Sequence, residues 1–174
     1  SRDNVIDMLK QFNMNNRPED KVKVIFAPCY LDGKDGIFDM HYYDLLIGND
    51  LSIYPSYYEP WGYTPLESAA FHVPCVTTSL SGFGLWANSI KGSDSKLEDG
   101  CLVIPLGDYN YSDVADVIKD AIQEFATMTP EQIEVCRKGA YKLSSKAEWK
   151  HFFSYYLKAY DKALQKRNTR ITNQ

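Results

Sequence analysis

The sequence has few cysteines and histidines, no excess of basic charge and no long apolar run. Its four cysteines lie far apart and its three histidines show no HxxxH or HExxH spacing, so neither a disulfide scaffold nor a metal site is expected. The formal net charge of −4 argues against a nucleic-acid or anionic-membrane partner. No stretch approaches the ~20 apolar residues of a membrane span. Reduced thiols in a cytoplasmic protein are the expectation.

The chain is instead rich in aromatic residues and has globular composition. Its 174 residues are 44% hydrophobic, enough for one domain with its own core. There are 13 tyrosines, 8 phenylalanines and 3 tryptophans, and several of them lie between residues 42 and 63. An amphipathic stretch begins almost at once without an initiator Met, which suggests a piece of a longer chain.

Short apolar segments alternate with amphipathic ones along most of the chain. The pattern predicts strands at 22–28, 51–56, 73–79 and 101–105, and helices at 3–14, 38–48, 64–71 and in three later segments with apolar stripes. Residues 80–100 read as a long polar loop, and residues 165–174 as a frayed tail. This alternation predicts an α/β fold, a Rossmann-like parallel sheet flanked by helices, with its first strands missing.

Two helix starts carry strong capping signals. Thr64-Pro65-Leu66-Glu67 predicts Thr64 as the N-cap, proline at the first helical position and Glu67 completing a capping box. Thr129-Pro130-Glu131-Gln132 carries the same capping-box signal at the start of a later helix. Ser112 lies at the start of the helix that comes just before that one.

Residues 50–84 hold the segment in which chemistry is expected, because strand-to-helix loops at the carboxyl edge of a parallel sheet bind ligands. A helix start near Thr64 presents backbone N–H groups and the positive end of the helix dipole, which together favour a phosphate. Gly62 allows a ligand to approach the backbone closely. An acidic chain can therefore bind a diphosphate here without a broad basic patch.

Glu59 and Glu67 flank this turn with seven residues between them. Carboxylates accept paired hydrogen bonds from the vicinal hydroxyls of sugars and riboses. Spacing alone leaves plainer interpretations open: Glu67 as a capping-box residue and Glu59 as an exposed loop acid.

The string YYEPWGYTPLE at 57–67, followed by SGFG at 81–84, resembles the glycogen synthases of the animal and fungal type. Related segments lie at 20–33 and 147–160, so the resemblance covers most of the chain. It implies the C-terminal part of a retaining glycosyltransferase with the GT-B fold. Residues 1–145 would form an incomplete nucleotide-sugar-binding domain, and residues 146–174 a C-terminal crossover-type helix with a polar tail.

The resemblance also implies roles for individual residues. Glu59 matches the catalytic acid that contacts hydroxyls of the transferred glucose, and Glu67 matches the acid that holds the ribose. The diphosphate would lie on three residues of the loop and helix start: Gly62, Tyr63 and Thr64. Tyr42 aligns with the aromatic residue that stacks on uracil, although it could equally be a packing residue of its helix. Trp61 could wall the sugar pocket or pack the turn.

The implied reaction transfers glucose from UDP-glucose to an α-1,4-glucan with retention, without a metal or other cofactor. The cations that clamp the diphosphate in the family and the acceptor-binding N-terminal domain lie upstream of the matched region. We therefore expect the chain to fold but to transfer no glucose alone. The donor base, UDP or ADP, stays open, and so does a different class, a non-catalytic nucleotide-sugar-binding module. A phosphoacceptor domain fits poorly, since Asp50 precedes its strand.

Two further expectations concern the C-terminal helices. Family members activated by glucose 6-phosphate carry an Arg-rich helix, whereas residues 130–142 keep only Arg137, Lys138 and Lys142 as basic residues. No activation through this helix is expected. The aromatic stripe from Trp149 to Leu164 would either lack its partner and be exposed or pack on residues 112–143.

Overall fold

A computed structural model describes the backbone of residues 3–172 and the side chains of residues 3–168. The described chain forms two compact units, of which the first ends at Tyr42 and the second begins at Tyr43. In chain order the elements are α1 (Asn4–Gln11), α2 (Tyr42–Leu46), β1 (Ser52–Tyr54), α3 (Tyr63–Ala70), β2 (Cys75–Thr78), α4 (Gly82–Lys91), a 3₁₀ turn (Leu97–Asp99), β3 (Cys101–Ile104), α5 (Tyr111–Thr127), α6 (Pro130–Ser145) and α7 (Trp149–Thr172).

The first unit contains the predicted N-terminal helix but not the predicted strand. Asp3 caps α1 by accepting hydrogen bonds from the backbone N–H groups of Val5 and Ile6. The strand expected at 22–28 is wrong, because no backbone segment pairs with it in the described chain. The side-chain amide of Asn16 instead bonds both the N–H and the C=O of Val24, at 2.8 and 2.7 Å.

The helix predicted at 38–48 is much shorter than expected, since only Tyr42–Leu46 is helical. Asp39 has a left-handed backbone with φ +50°, which a continuous right-handed helix cannot contain. An isolated antiparallel bridge joins Asp32 to His41 just before the helix begins. The chain therefore enters α2 from an extended loop.

The second unit is built on a parallel sheet with the strand order β1-β2-β3. This confirms the predicted Rossmann-like α/β class, with three strands in the described chain rather than four. Successive side chains of each strand point to opposite faces, and each face carries its own buried cluster. One cluster joins Val76 and Ile104 to Phe125 of α5. The other joins Cys75 and Cys101 to Phe83 of α4.

The loop predicted at 80–100 is wrong, because residues 82–91 form α4 and residues 97–99 a 3₁₀ turn. Glycine is a poor helix former, so Gly82 and Gly84 make this helix hard to predict from the sequence. Both glycines lie against backbone: a β-carbon on Gly82 would overlap the Pro60 carbonyl oxygen, and one on Gly84 the Thr78 carbonyl oxygen. Close packing, not propensity, decides the conformation here.

The three C-terminal helices are confirmed, with changes at their ends. Thr129 and Gln132 form the predicted capping box of α6. The N-cap of α5 is Asn110 and not Ser112. The tail predicted to fray is helical as far as Thr172, and residues 173–174 lie outside the described chain.

The aromatic stripe of α7 is largely exposed, as one of the two expectations had it. Trp149 is 61% exposed and Tyr160 is 58% exposed. Phe152 is the exception, since its ring contacts Trp61 and Trp86 at 5.5 and 5.6 Å between centroids. None of the described helices combines the length and the apolar character needed to cross a bilayer.

Candidate functional site at the carboxyl edge of the sheet

The loop that follows β1 is fixed to the segment that follows β2. The Glu59 N–H donates to the Leu80 carbonyl, and the Gly82 N–H donates to the Glu59 carbonyl, both at 3.0 Å. The Ser81 hydroxyl donates to the Trp61 carbonyl at 2.9 Å. These bonds extend the parallel pairing of the sheet beyond its strands, as the Glu59–Ser81 bridge records. The loop is therefore held rigidly against the segment that follows β2.

Gly62 ends this loop in a conformation that other residues adopt with strain. Its φ is +108°, and a β-carbon there would lie 2.7 Å from Ser81 Oγ. It would also lie 3.2 Å from Cγ of Pro65. Glycine is thus required both by the backbone conformation and by the space.

The helix after the loop begins earlier than the sequence predicts. Gly62, and not Thr64, is the N-cap of α3, and Tyr63 and Thr64 are its first two residues. Glu67 is consequently the fifth helical residue, too far along to complete a capping box. The carboxylate of Glu67 is therefore not committed to its own helix end, and the plainer interpretation of this residue is wrong.

Two helix N-termini face this edge, and they differ in what their amides bind. In α4, the N–H groups of Gly82 and Phe83 donate to loop carbonyls at residues 59 and 61. In α3, the N–H groups of Tyr63 and Thr64 find no acceptor among the described residues. Both of these residues are exposed. The N-terminal amides of α4 thus bind the loop. Those of α3, at the positive end of the helix dipole, can donate to an anionic ligand.

Each of the two candidate acids is half-buried and held by one hydroxyl. The Ser56 hydroxyl donates to Glu59 Oε2 at 2.8 Å. The Tyr43 hydroxyl donates to Glu67 Oε1 at 3.0 Å. The hydrogen bond to Glu67 and the negative charge of its carboxylate raise the pKa of Tyr43 above its ordinary value of 10.0. Each carboxylate has lone pairs left over for hydroxyl groups of a ligand.

The remaining predicted residues divide between the two units. Tyr42 is the first residue of α2 and the last of the first unit, where its N–H donates to the Leu31 carbonyl at 3.1 Å. Trp61 packs the turn, since its ring contacts Phe83, Trp86 and Phe152. Glu59, Gly62, Tyr63, Thr64 and Glu67 all lie in the second unit, on one loop and the first five residues of α3.

Sequence reasoning missed the residues that hold the two acids. Ser56 precedes Glu59 by three residues, so a local turn could have suggested it. Tyr43 is 24 residues before Glu67, and no local spacing connects them. The described residues include no group of three or more His, Cys, Asp or Glu side chains placed to hold a metal ion.

The comparisons with known proteins all point to one family. The sequence model of the family described as "Glycogen synthase" matches residues 1–172. Glycogen [starch] synthase isoform 2 of Saccharomyces cerevisiae is 31% identical over 166 residues, 95% of this chain. Glycogen [starch] synthase of Neurospora crassa is 30% identical over 94% of this chain. The liver glycogen [starch] synthase of Mus musculus is 29% identical over 90% of it.

The chain spans only about a quarter of the length of these relatives: 24% for the first, 23% for the second and 22% for the third. The family match, in contrast, runs almost from end to end of the chain. The parallel sheet and the rigid loop before α3 agree with the fold expected from the 57–67 string. The chain belongs to the glycogen synthase family.

Proposed function

We propose that this chain supplies part of the donor site of a retaining glucosyltransferase that transfers glucose from UDP-glucose to an α-1,4-glucan. In this proposal Glu59 orients the transferred glucose and Glu67 binds the ribose. Tyr42 stacks on the uracil ring. The diphosphate lies on the loop and helix start formed by Gly62, Tyr63 and Thr64.

The observation that carries the proposal is the pair of unused amides at the start of α3. Phosphate oxygens accept hydrogen bonds from such N–H groups, and the helix dipole adds roughly 0.3–2 kcal/mol for an anion. Tyr63 and Thr64 are exposed residues, and the hydrogen-bonded loop before them holds the helix start in place before a ligand arrives. A preorganised site of this kind avoids the entropy cost of ordering the loop on binding.

The same amides explain how the site would assist the reaction. Negative charge develops on the diphosphate as its bond to glucose breaks, and donors aimed at that charge stabilise the transition state. Glu59 accepts a hydrogen bond from Ser56, which fixes the carboxylate for contact with sugar hydroxyls. We therefore assign Glu59 an orienting role rather than a covalent one.

The isolated chain is proposed to be inactive. The chain spans about a quarter of the length of its relatives. In this proposal the cations that complete the diphosphate clamp and the domain that binds the glucan are not supplied by these 174 residues. The division into residues 1–145, for the nucleotide sugar, and residues 146–174, for the C-terminal helix, is part of this proposal. So is a cytoplasmic location, with which the four free cysteines agree.

The donor site is tested by titrating the 174-residue chain with UDP in a calorimeter. Tyr63→Pro removes one amide donor at the first helical position, where proline is favoured, and should weaken UDP binding about tenfold or more. Tyr63→Ala is the matched control, because it keeps the amide and removes only an exposed side chain. Equal affinity of the two variants would contradict the proposal, provided that circular dichroism shows both folded.

The proposed reaction is tested separately with radiolabelled UDP-glucose and glycogen. The isolated chain should transfer no glucose, whereas the whole protein should transfer it and lose most activity on Glu59→Gln. Glucosyl transfer by the isolated chain would overturn the part of the proposal that assigns the missing cations an essential role.

A further inference from the structure

The Glu67 carboxylate on α3 is held by a side chain of another helix. The Tyr43 hydroxyl, on α2, donates to Glu67 Oε1 at 3.0 Å, although the two residues lie 24 positions apart in the sequence. Among the described residues, no Lys, Arg or His forms an ion pair with this carboxylate. The direction in which the Glu67 side chain points therefore depends on one phenol.

The ring of Tyr43 is fixed by a second contact with the same helix. It packs on the ring of Phe71, with 5.3 Å between the centroids and 34° between the planes. Phe71 is the C-cap of α3 and follows Glu67 by four residues, so the two side chains lie on one face of that helix. Tyr43 contacts both of them, the first through its ring and the second through its hydroxyl.

The backbone that carries Tyr43 is also anchored. Leu46 follows it by three residues, on the same side of α2, and is only 2% exposed. The Tyr43 carbonyl accepts a hydrogen bond from the Ile47 N–H at 3.2 Å. Tyr43 and Glu67 both belong to the second compact unit. The phenol thus reaches the carboxylate from an ordered position.

The chemistry of this hydrogen bond allows only one direction. An ionised carboxylate can accept but not donate. The phenol is protonated at neutral pH, since the bond and the charge of Glu67 raise the pKa of Tyr43 above 10.0. Tyr43 therefore donates to Oε1, and Oε2 remains as an acceptor for a ligand hydroxyl. Without the phenol, the flexible Glu67 side chain would have to be ordered when the ligand binds, which lowers affinity.

We propose that Tyr43 is a positioning residue of the donor site, which holds the Glu67 carboxylate in place for the ribose hydroxyls. This inference rests on the proposed function, which assigns the ribose to Glu67. It adds that the preference for a nucleotide with both ribose hydroxyls depends on a residue of α2. Tyr43 then affects the part of the affinity that those hydroxyls contribute, and no other part.

Calorimetric titration of the 174-residue chain with UDP and with 2′,3′-dideoxy-UDP tests this role. Tyr43→Phe keeps the ring on Phe71 and removes only the hydroxyl. It should weaken UDP binding about three- to tenfold and leave the weaker binding of dideoxy-UDP unchanged. Tyr141→Phe is the matched control, because it removes a hydroxyl from another exposed ring, which stacks on His72 at 4.4 Å. It should bind both ligands like the wild-type chain.

A double-mutant cycle shows whether Tyr43 acts through Glu67. Glu67→Ala removes the carboxylate, so adding Tyr43→Phe to it should cause no further loss of UDP affinity. A full additional loss in the Glu67→Ala background would overturn the positioning role. Equal losses of UDP and dideoxy-UDP affinity in Tyr43→Phe would also overturn it, because they would show that Tyr43 supports the fold in general. Thermal melts confirm that each variant is folded.

The outcomes separate this inference from the proposed function. A wild-type chain that prefers UDP to dideoxy-UDP, with no change in that preference on Tyr43→Phe, would overturn the role of Tyr43 and leave the donor site standing. Equal affinity of the wild-type chain for the two nucleotides would overturn the ribose role of Glu67 and this inference with it. A wild-type chain that did not bind UDP would overturn the proposed donor site itself.

Discussion

Ser56 Oγ lies 2.8 Å from Glu59 Oε2, so the hydroxyl three residues earlier in the loop fixes the carboxylate expected to touch the sugar. Ser56→Ala should therefore weaken UDP-glucose binding about two- to tenfold, the range for one net hydrogen bond. UDP lacks the glucose, and its affinity should not change. Calorimetric titration with both ligands measures the difference.

Ser56→Thr is the matched control, because it retains the hydroxyl and should retain the affinity for UDP-glucose. A Ser56→Ala chain that lost UDP and UDP-glucose affinity equally would show that Ser56 supports the loop as a whole. The orienting role of the Ser56–Glu59 hydrogen bond would then be abandoned.

Gly62 should be much less tolerant of substitution than another glycine with a positive φ. Gly62→Ala places a β-carbon 2.7 Å from Ser81 Oγ on a backbone with φ +108°. Gly92 has φ +75° and open space around its Cα, so Gly92→Ala introduces backbone strain alone. We expect the free energy of unfolding to fall by about 1 kcal/mol for Gly92→Ala and by about 2–4 kcal/mol for Gly62→Ala.

Urea unfolding of the wild-type chain and the two variants measures these free energies. The double substitution Gly62→Ala with Ser81→Ala removes the hydroxyl that the new carbon would meet and should recover part of the loss. Equal losses in Gly62→Ala and Gly92→Ala would mean that the contact with Ser81 relaxes without cost.

Local signals in the sequence were sufficient where the structure is local. The capping box of α6 depends on Thr129 and Gln132, three residues apart, and it forms as predicted. The three strands of the sheet are short apolar runs followed by turns, and the sequence predicts all three. Asp3 likewise caps α1 through bonds to residues two and three positions away.

Tertiary contacts decided the elements that the sequence did not predict. The 22–28 segment has strand-like residues, but a strand needs a neighbour, and the Asn16 side chain bonds Val24 instead. The helix α4 contains Gly82 because the loop before α3 passes too close for a side chain. Gly62, with its left-handed backbone, is the N-cap of α3 in place of the predicted Thr64. No propensity scale contains this information.

The pKa of the Tyr43 phenol should depend on the charge of Glu67. The hydrogen bond to Glu67 and its negative charge raise the pKa of Tyr43 above 10.0 in the folded chain. The bond needs a protonated phenol, so its contribution to stability is fully present below pH 10 and is lost as the pH rises through the raised pKa. Glu67→Gln removes the charge and should lower the pKa of Tyr43 toward its ordinary value.

Carbon-13 labelling of the tyrosine rings, with Tyr43→Phe to assign the signal, follows this titration by NMR. The pKa of Tyr57 is raised in the same way by Asp108 and serves as the internal control, since Glu67→Gln should leave it unchanged. A Tyr43 titration that did not respond to Glu67→Gln would argue against the hydrogen bond in solution.

Arg137 should not respond to sugar phosphates, because its guanidinium already has partners. It contacts Asp50 Oδ1 at 3.0 Å and the Asn49 carbonyl at 3.5 Å, and Lys138 on the same helix pairs with Glu134 at 3.2 Å. Titration with glucose 6-phosphate should give no saturable heat in the wild-type chain. Arg137→Ala should cost only about 0.2–1 kcal/mol of stability, as for a surface ion pair, since the Asp50 carboxylate is largely exposed. Tight binding of glucose 6-phosphate that Arg137→Ala abolishes, and that Lys138→Ala leaves intact, would show instead that the guanidinium exchanges Asp50 for a phosphate.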